Sequence, residues 1–353
     1  MAADSGPSNR VIAELLCAAA EEGDRTVQQR RALRRAGRAA FRWSVEARDL
    51  LARGQSLTEL RAVGPWIARL IEPWILDPPD APPAPPIRQS FLTRTEVDRI
   101  LSRHAAAPRV RGDLQMHTFG SDGADSVADM ATAALERGLE YIAITDHSKG
   151  LAIANGMNES QLAAQGREID ELNGRVAGQG FRILRAVEMN LSPAGAGDLD
   201  SEFLQQLDLV LGAFHSRLRV TDDQTERYLA ALENPHIHVL AHPRGRIFNF
   251  RLGLHADWER VFDRARARNR AVEIDAFPDR QDLDVELLKQ ARDAGALISI
   301  GSDSHAQSQL AFLDYGIAAA REVGIPAERI LNCWNADTLR AWTADGTVPR
   351  RLS

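Results

Sequence analysis

Cysteine and lysine are nearly absent from this 353-residue chain, which contains two of each. Cys17 and Cys333 are so few and so far apart that neither a disulfide framework nor a thiolate metal site is expected. Any metal ion must therefore be held by histidine and carboxylate side chains. The chain also lacks an apolar run of membrane-spanning length, and its first residues lack the basic and apolar regions of a secretion signal. We therefore expect a cytoplasmic protein with no membrane segment.

The basic residues are almost all arginine, since 41 arginines stand against Lys149 and Lys289. A net charge of −6 argues against a generally cationic nucleic-acid binder. Residues 25–45 nonetheless contain seven arginines and no acidic residue. This segment could contact phosphates, and a solvated helix face explains it nearly as well. Hydrophobic residues make up 44% of the chain, which is enough to bury a core.

Two regions of different character are separated by a proline-rich segment. Apolar residues at helical spacing predict a small all-α domain over residues 1–76, including a helix, a turn at Gly64 and a second helix that opens with Pro65. Six prolines in residues 78–86 predict a stiff linker over residues 77–94. The larger domain then spans residues 95–353, beginning with a short helix.

Short apolar runs alternate regularly with helix-like segments in the larger domain. Strands are predicted near residues 110–117, 140–146, 182–189, 208–214, 238–242, 271–277 and 297–302. Helical segments follow at residues 126–137, 159–176, 224–232, 257–268, 284–294 and 310–323. This alternation predicts an α/β fold in which seven strands and their helices form a βα barrel.

Histidine and acidic residues close most of these runs. The carboxyl ends of the strands in such a barrel share one rim, so these side chains are expected to meet there. The residues are His117, Asp122, Asp146, His147, Glu188, His215, His242, Asp303 and His305. Imidazole and carboxylate together are the donors for a divalent ion that also binds phosphate oxygens.

These residues fall into motifs that resemble the PHP (polymerase and histidinol phosphatase) domain. The motifs are Asp113-Leu-Gln-Met-His117, Ser121-Asp-Gly123, Ile144-Thr-Asp-His147, Ala241-His-Pro243 and Gly301-Ser-Asp-Ser-His305, with Glu188 and His215. The resemblance implies a distorted seven-stranded, TIM-like βα barrel with two or three Mn²⁺ or Zn²⁺ ions. It assigns His117, Glu188 and Asp303 to one ion, Glu188, His215 and His242 to a second, and Asp122, His147 and His305 to a third.

One position departs from the family pattern. The first motif usually reads His-x-His, and Gln115 here takes the place of the first histidine. A neutral amide is a weaker ligand than imidazole, so the departure bears on how well the first metal site is occupied. Enough other ligands remain for an active centre to be expected.

Segments outside the ligands resemble the PHP domain of bacterial family-X DNA polymerases, notably residues 144–150, 242–246 and 273–283. Residues 9–76 resemble the helical DNA-binding domain of the same polymerases, with its helix-hairpin-helix. Backbone N–H groups at such a hairpin can hold a phosphate without reading bases. The DNA-binding residues implied are Gly64, Arg61 and Arg69. The nucleotidyltransferase region of those polymerases is missing between the two parts, so polymerase activity is not expected.

The sequence thus favours a metal-dependent phosphodiesterase, a 3′–5′ exonuclease acting on DNA. A water activated by the ions would attack phosphorus at a centre built on Glu188, Asp303 and His215. The predicted substrate-binding residues are Arg246, Arg280, Gln115 and Lys149. Two alternatives stay open: a histidinol-phosphatase-like phosphomonoesterase, and a DNA-binding protein whose catalytic site is weakened at Gln115. The oligomeric state is not predicted.

Overall fold

A computed structural model describes residues 6–348 of the chain. The described residues form two compact units. The first comprises residues 6–103 together with Phe248–Phe250, and the second comprises residues 104–247 and 251–348. The outer ends of the two predicted domains, residues 1–5 and 349–353, lie outside the described residues.

The first unit is helical, as predicted. Its helices are α1 (Asn9–Ala19), α2 (Val27–Ala40), α3 (Ala47–Ala52), α4 (Pro65–Leu76) and α5 (Arg94–Arg103). Ser8 caps α1 by accepting a hydrogen bond from the N–H of Val11, and Thr26 forms a capping box with Gln29 at the start of α2. The buried core includes Ile12, Leu16, Leu33, Phe41, Trp43, Ile67 and Ile71.

The segment predicted to form a helix, a turn at Gly64 and a second helix contains only the second of these α-helices. Its first arm is a single 3₁₀ turn, Leu57–Glu59, rather than an α-helix. The chain then reverses at Ala62, whose φ is +65°, and α4 begins at Pro65 with Gly64 as its N-cap. Proline lacks an N–H and has a φ suited to the first helical position, which explains why α4 begins there.

The first unit extends further along the chain than the predicted boundary at residue 95. The guanidinium of Arg10 in α1 donates two hydrogen bonds to the carboxylate of Glu96 in α5, at 3.0 and 2.7 Å. Val97 and Ile100 of α5 are buried. These interactions place α5 with the helical unit, so the compact boundary falls at Arg103.

Seven parallel strands form the second unit. They are β1 (Gly112–Asp113), β2 (Tyr141–Ile144), β3 (Arg182–Asn190), β4 (Leu209–Ala213), β5 (Val239–Leu240), β6 (Ala271–Asp275) and β7 (Leu297–Gly301). Each strand pairs with the next along the chain. The N–H of Leu114 donates to the carbonyl of Ile300 at 3.3 Å, which brings the chain after β1 against β7. The prediction of a distorted seven-stranded βα barrel is confirmed.

Helices surround the strands. They are α6 (Val127–Glu136), α7 (Glu159–Val176), α8 (Ser201–Leu204), α9 (Thr225–Glu233), α10 (Trp258–Ala267), α11 (Val285–Ala294), α12 (Leu313–Val323) and α13 (Ala336–Asp345). Six of them lie within three residues of predicted bounds, whereas α8 and α13 lie outside the predicted segments. No helix within residues 6–348 is long and apolar enough to cross a bilayer.

The segment leading into α13 closes the amino end of the barrel. Tyr141, the first residue of β2, is fully buried and donates its hydroxyl to the carbonyls of Leu331 and Trp334, at 3.2 and 3.1 Å. Trp334 packs edge-on against Trp342 of α13, with 6.0 Å between ring centroids. This end of the barrel is therefore packed with apolar side chains. The opposite end, at the carboxyl ends of the strands, is where functional polar side chains lie in such barrels.

Candidate metal centre

The strands place the predicted ligands at one rim of the barrel. His215, His242 and Asp303 each stand two residues beyond the end of a strand, after β4, β5 and β7 respectively. Glu188 differs because it lies within β3, two residues before that strand ends at Asn190. Glu188 therefore occupies the floor of the rim, and its carboxylate is fully buried.

Two of the predicted ligands are held in unusual backbone conformations. His242 has a φ of +25° and Asp303 a φ of +51°, in the region that side-chain-bearing residues rarely adopt. The N–H of His242 donates to Glu273 at 2.7 Å, and the N–H of Asp303 donates to the carbonyl of Gln115 at 3.0 Å. Such conformations persist where surrounding bonds enforce them, and they are concentrated at functional sites.

Glu188 lies at the centre of the cluster. Its Oε1 is 2.7 Å from Nε2 of His242 and 2.9 Å from Nε2 of His215. Its Oε2 is 3.3 Å from Nε2 of His117 and 3.6 Å from Nδ1 of His147. The two oxygens thus face different imidazoles, which is the arrangement expected of a carboxylate that bridges two ions.

The remaining ligands extend from His117. Its Nε2 is 3.0 Å from Oδ1 of Asp303, and its ring stacks between those of His147 and His305, with centroids at 4.3 and 4.5 Å. Asp122 lies beyond this stack, with its Oδ1 3.4 Å from Nε2 of His305 and 3.6 Å from Nε2 of His147. A second side of the centre is therefore lined by three imidazoles and one carboxylate.

The donor atoms form sets compact enough for metal ions. Within each of three sets, the ligand atoms lie within 4.8 Å of one another. The sets are His117, Glu188 and Asp303; His147, Glu188 and His215; and His117, Asp122, His147 and His305. The first of these sets is the same as the first set implied by the resemblance. His242 is not in the second set, but its Nε2 contacts Glu188, which is. Nδ1 of His147 is buried without a hydrogen-bond partner among residues 6–348, as expected of an atom left for a cation.

The protonation of the cluster suits divalent ions. Burial would raise the pKa of Glu188, but the electrostatic influence of the neighbouring His147 and His242 imidazoles and hydrogen bonds from His117 and His215 hold it well below its usual range. Burial lowers the pKa of His147 to about 4, so this imidazole is neutral at physiological pH. Anionic carboxylates and neutral imidazoles are the forms that bind metal. Where Glu188 instead raises an imidazole pKa, as at His242, a bound ion would displace the proton.

A buried carboxylate fixes the loop that carries Asp122. Asp146 accepts hydrogen bonds from the N–H and hydroxyl of Thr118 at 2.8 and 2.6 Å, from Ser121 at 2.5 Å and from Gln165 at 2.6 Å. Asp146 is thus fully occupied in holding residues 118–121, and it acts on the centre by positioning Asp122 rather than as a ligand.

A cavity of about 350 Å³ opens over the ligands. Apart from Gly245, its other lining residues are of two kinds. Five are apolar, namely Leu151, Ile153, Ala154, Phe214 and Leu218, and two are the arginines Arg251 and Arg280. The cavity can therefore hold both an anionic group and an apolar group.

The two arginines of the cavity differ in their partners. Arg280, which the sequence predicted, forms ion pairs with Asp275 and Asp303. Arg251, which was not among the residues predicted from the sequence, donates its Nε to the carbonyl of Gly245 and forms no ion pair with any residue among 6–348. Burial lowers the pKa of Arg251, and the positive charge of Arg280 lowers it further. An anion in the cavity would relieve this repulsion.

The other predicted substrate-binding residues lie outside the lining of the cavity. Arg246 is buried and donates to Asp284 at 2.7 Å, while Lys149 pairs with Glu159 at 2.5 Å. Gln115 is fully buried beneath the ligands, where it is bonded to Glu188. No feature of the sequence distinguishes Arg251 from Arg246, because the difference arises from which arginine meets Asp284 in the fold.

Comparison with known proteins agrees with this geometry. Residues 113–331 match the family described as PHP domain. The chain belongs to the PHP family. Its barrel is therefore a PHP barrel, and the protein is a metal-dependent hydrolase of phosphoric esters.

Individual relatives of the PHP barrel carry different names. The chain is 37% identical over 235 residues to the DNA polymerase/3′-5′ exonuclease PolX of Bacillus subtilis, covering 66% of this chain and 41% of that protein. It is 30% identical over 230 residues to a "Probable phosphatase" of Acetivibrio thermocellus, covering 62% and 90%. The zinc-containing histidinol phosphate phosphatase of Lactococcus lactis, solved with histidinol and phosphate, is 17% identical with a TM-score of 0.46, covering 62% and 95%. The chain thus spans less than half of the PolX relative.

Proposed function

We propose that this protein is a 3′–5′ exonuclease that hydrolyses the phosphodiester bonds of DNA. The observation that carries the proposal is the composition of the cavity, where metal ligands, arginines and apolar side chains line one space. A terminal nucleotide has this combination of chemistry, since it joins a charged phosphate to an apolar base. The name of the Bacillus subtilis relative, which includes a 3′-5′ exonuclease, supports the polarity.

The arginines provide the phosphate contacts in this proposal. Arg251 directs a guanidinium without a carboxylate partner among residues 6–348 into the cavity, and charge-assisted hydrogen bonds from arginine to phosphate are strong. Arg280 lies beside Asp303, so it can hold the same phosphate close to the ligands while keeping that carboxylate in place. Divalent ions held by Glu188 and its neighbouring ligands would supply charge neutralisation at the phosphate and activation of water.

The helical unit provides contacts to the DNA backbone in this proposal. Arg31, Arg34 and Arg35 are exposed on α2 and form no ion pair with any residue among 6–348. Gly64 caps α4, whose N-terminus can hold a phosphate, and Arg61 and Arg69 are also exposed. Such contacts would bind DNA without regard to sequence, and salt would weaken them.

A small-molecule phosphatase is the second candidate. The named phosphatase from Acetivibrio thermocellus matches this chain over 90% of its own length, so the barrel by itself has the extent of that protein. A substrate such as histidinol phosphate would use the same ligands and Arg251. It would leave the exposed arginines of the helical unit without a role, which is why we favour DNA.

The deciding experiment incubates the purified protein with Mn²⁺ and single-stranded DNA labelled at its 5′ end, and in parallel with histidinol phosphate. We expect a ladder of shortened products that is stopped by a phosphorothioate linkage at the 3′ end and unaffected by one at the 5′ end. His215→Ala is expected to abolish the ladder because His215 contacts Glu188 in the centre.

Each other result points to an alternative. Phosphate release from histidinol phosphate without DNA shortening would overturn the proposal in favour of the phosphatase. DNA binding without hydrolysis of either substrate, with metal bound, would instead indicate a DNA-binding protein with a weakened catalytic site.

A further inference from the structure

Gln115 lies directly beneath the metal ligands, where the family usually has a histidine. Its side chain is fully buried, and its Nε2 donates to Oε2 of Glu188 at 2.9 Å. The same Oε2 faces Nε2 of His117 at 3.3 Å. The amide nitrogen, which cannot bind a cation, is therefore the atom of Gln115 that points towards the centre.

The other end of the amide is not satisfied. Oε1 of Gln115 is buried and has no hydrogen-bond partner among residues 6–348, and Oε1 of Glu273 is in the same condition. Both oxygens border Gly301, since a Cβ added to that glycine would stand 2.9 Å from the first and 2.5 Å from the second. Two buried oxygens thus share one small space, and neither has a hydrogen-bond donor among residues 6–348.

A half-turn of the amide resolves this conflict. The oxygen and nitrogen of an amide are nearly equal in size, so the exchange needs no repacking. After it, Nε2 of Gln115 would donate to Oε1 of Glu273, and Oε1 of Gln115 would face Oε2 of Glu188. Two oxygens at this spacing repel each other unless a cation lies between them. Adjacent oxygen ligands of one octahedral divalent ion are about 3 Å apart, which matches the spacing.

We propose that Gln115 is a metal ligand through Oε1, completing the set of His117, Glu188 and Asp303, and that Glu273 is the positioning residue that holds its amide. The orientation of the amide is then coupled to the ion: nitrogen faces Glu188 without it, and oxygen faces the ion with it. The proposal concerns metal binding alone, so it stands or falls independently of which phosphoester is hydrolysed.

Glu273→Gln provides the sharpest test because its outcome depends on the amide. Oε2 of Glu273 accepts the N–H of His242 at 2.7 Å, so the oxygen of the introduced amide must keep that place. Its nitrogen must then face Gln115 and donate to Oε1, which locks Gln115 in the orientation unable to bind the ion. A substitution at a residue that does not touch the metal should therefore weaken metal binding.

The measurement is the affinity and stoichiometry of Zn²⁺ in protein stripped of metal, by titration against a competing chelator and by elemental mass spectrometry. We expect Gln115→Leu and Glu273→Gln each to weaken one site by about 10- to 100-fold. The double variant Gln115→Glu with Glu273→Gln exchanges the amide and the carboxylate between the two positions. The introduced carboxylate can then ligate the ion while it accepts a hydrogen bond from the introduced amide. We expect the double variant to regain most of the lost affinity.

Glu168→Gln, on the exposed face of α7, is the matched control and should bind Zn²⁺ like the wild type. Circular dichroism and thermal unfolding of each metal-free variant verify folding. Wild-type affinity in Glu273→Gln, or no recovery of affinity in the folded double variant, would overturn the proposal.

Discussion

Oε1 of Glu188 lies 2.7 Å from Nε2 of His242, and this contact joins β3 to the loop after β5 within the candidate metal centre. Burial would lower the pKa of His242, but the charge of Glu188 outweighs it and raises that pKa to about 9. The same carboxylate contacts His215, His117 and His147. One anionic group therefore organises four imidazoles that come from four different loops.

Replacing Glu188 should consequently dismantle the centre. In Glu188→Gln the side chain keeps its size but loses its charge, and its amide nitrogen cannot ligate an ion. We expect metal affinity to fall by at least about 100-fold, because the ligand predicted to bridge two ions is lost and changes to outer partners already cost about 10- to 100-fold. Chelator competition measures the affinity, and mass spectrometry the bound metal. Glu168→Gln should retain full metal content, and retention in Glu188→Gln would contradict the bridging role.

The fold could be predicted because the apolar runs that form strands recur together with residues able to bind metal. Each apolar run ends near a histidine or acid, and in a parallel barrel these ends must share a rim. The prediction was least accurate at β1, where residues 110–117 were expected and only Gly112–Asp113 pair as a strand with β2. Beyond Asp113 the chain bonds to both of its neighbours outside a regular strand ladder. The N–H of Thr145, just after β2, donates to the carbonyl of Met116 at 2.9 Å, and the N–H of His117 donates to the carbonyl of Ser304 at 2.7 Å. Such isolated bonds leave no trace in local sequence.

The boundary of the helical unit and the arginine that faces the cavity could not be predicted, because both depend on contacts between residues distant in sequence. Arg10 meets Glu96 across 86 positions, and this pairing draws α5 into the helical unit. Asp284 neutralises Arg244 and Arg246, which leaves Arg251 to face the cavity. In each case several arginines are equivalent in sequence, and the fold alone determines which one is paired.

His238, away from the metal centre, should make stability depend on pH. Its Nδ1 accepts the N–H of Val210 at 3.0 Å and its Nε2 lies 3.2 Å from the carbonyl of Thr343, so the neutral form fits the site. Burial lowers its pKa to about 4, and Arg270 adds to the effect. Below the ordinary histidine pKa of about 6.5, His238 is protonated in the unfolded chain but stays neutral in the folded chain. The contribution of His238 to the free energy of unfolding should therefore fall by about 3 kcal/mol as the pH drops from about 6.5 to about 4.

Urea unfolding in the presence of a chelator, at several pH values from about 4.5 to about 7.5, measures this dependence. His238→Gln should unfold more easily than the wild type at neutral pH, and the difference between the two proteins should shrink as pH falls. Replacement of His255, which is exposed, is the control for the loss of an imidazole. A difference between wild type and His238→Gln that is constant with pH would contradict the assignment.

Arg251 should contribute to substrate binding and not to metal binding. Arg251→Met keeps much of the length of the side chain but removes the charged hydrogen bonds expected at the phosphate. A hydrogen bond to a charged group contributes about 1.5–3 kcal/mol, so kcat/KM should fall roughly 10- to 150-fold. Steady-state kinetics on the hydrolysed substrate measure this, with metal content unchanged. Arg167→Met, on the exposed face of α7, should leave kcat/KM unaltered. Loss of bound metal in Arg251→Met would indicate a structural role instead.

Ile153 should contact the base of the terminal nucleotide if the substrate is DNA. Its side chain is 92% exposed and lines the cavity, so Ile153→Ser removes an apolar surface without disturbing a core. Loss of an apolar contact of about 1 kcal/mol predicts a fall in kcat/KM of roughly 5-fold on DNA with an ordinary 3′ base. On DNA with an abasic 3′ end, wild type and variant should react alike, because the contact is already gone. Leu252→Ser, half exposed and outside the cavity lining, is the control. Equal losses on both DNA ends would show that Ile153 acts on the fold of its loop and not on the base.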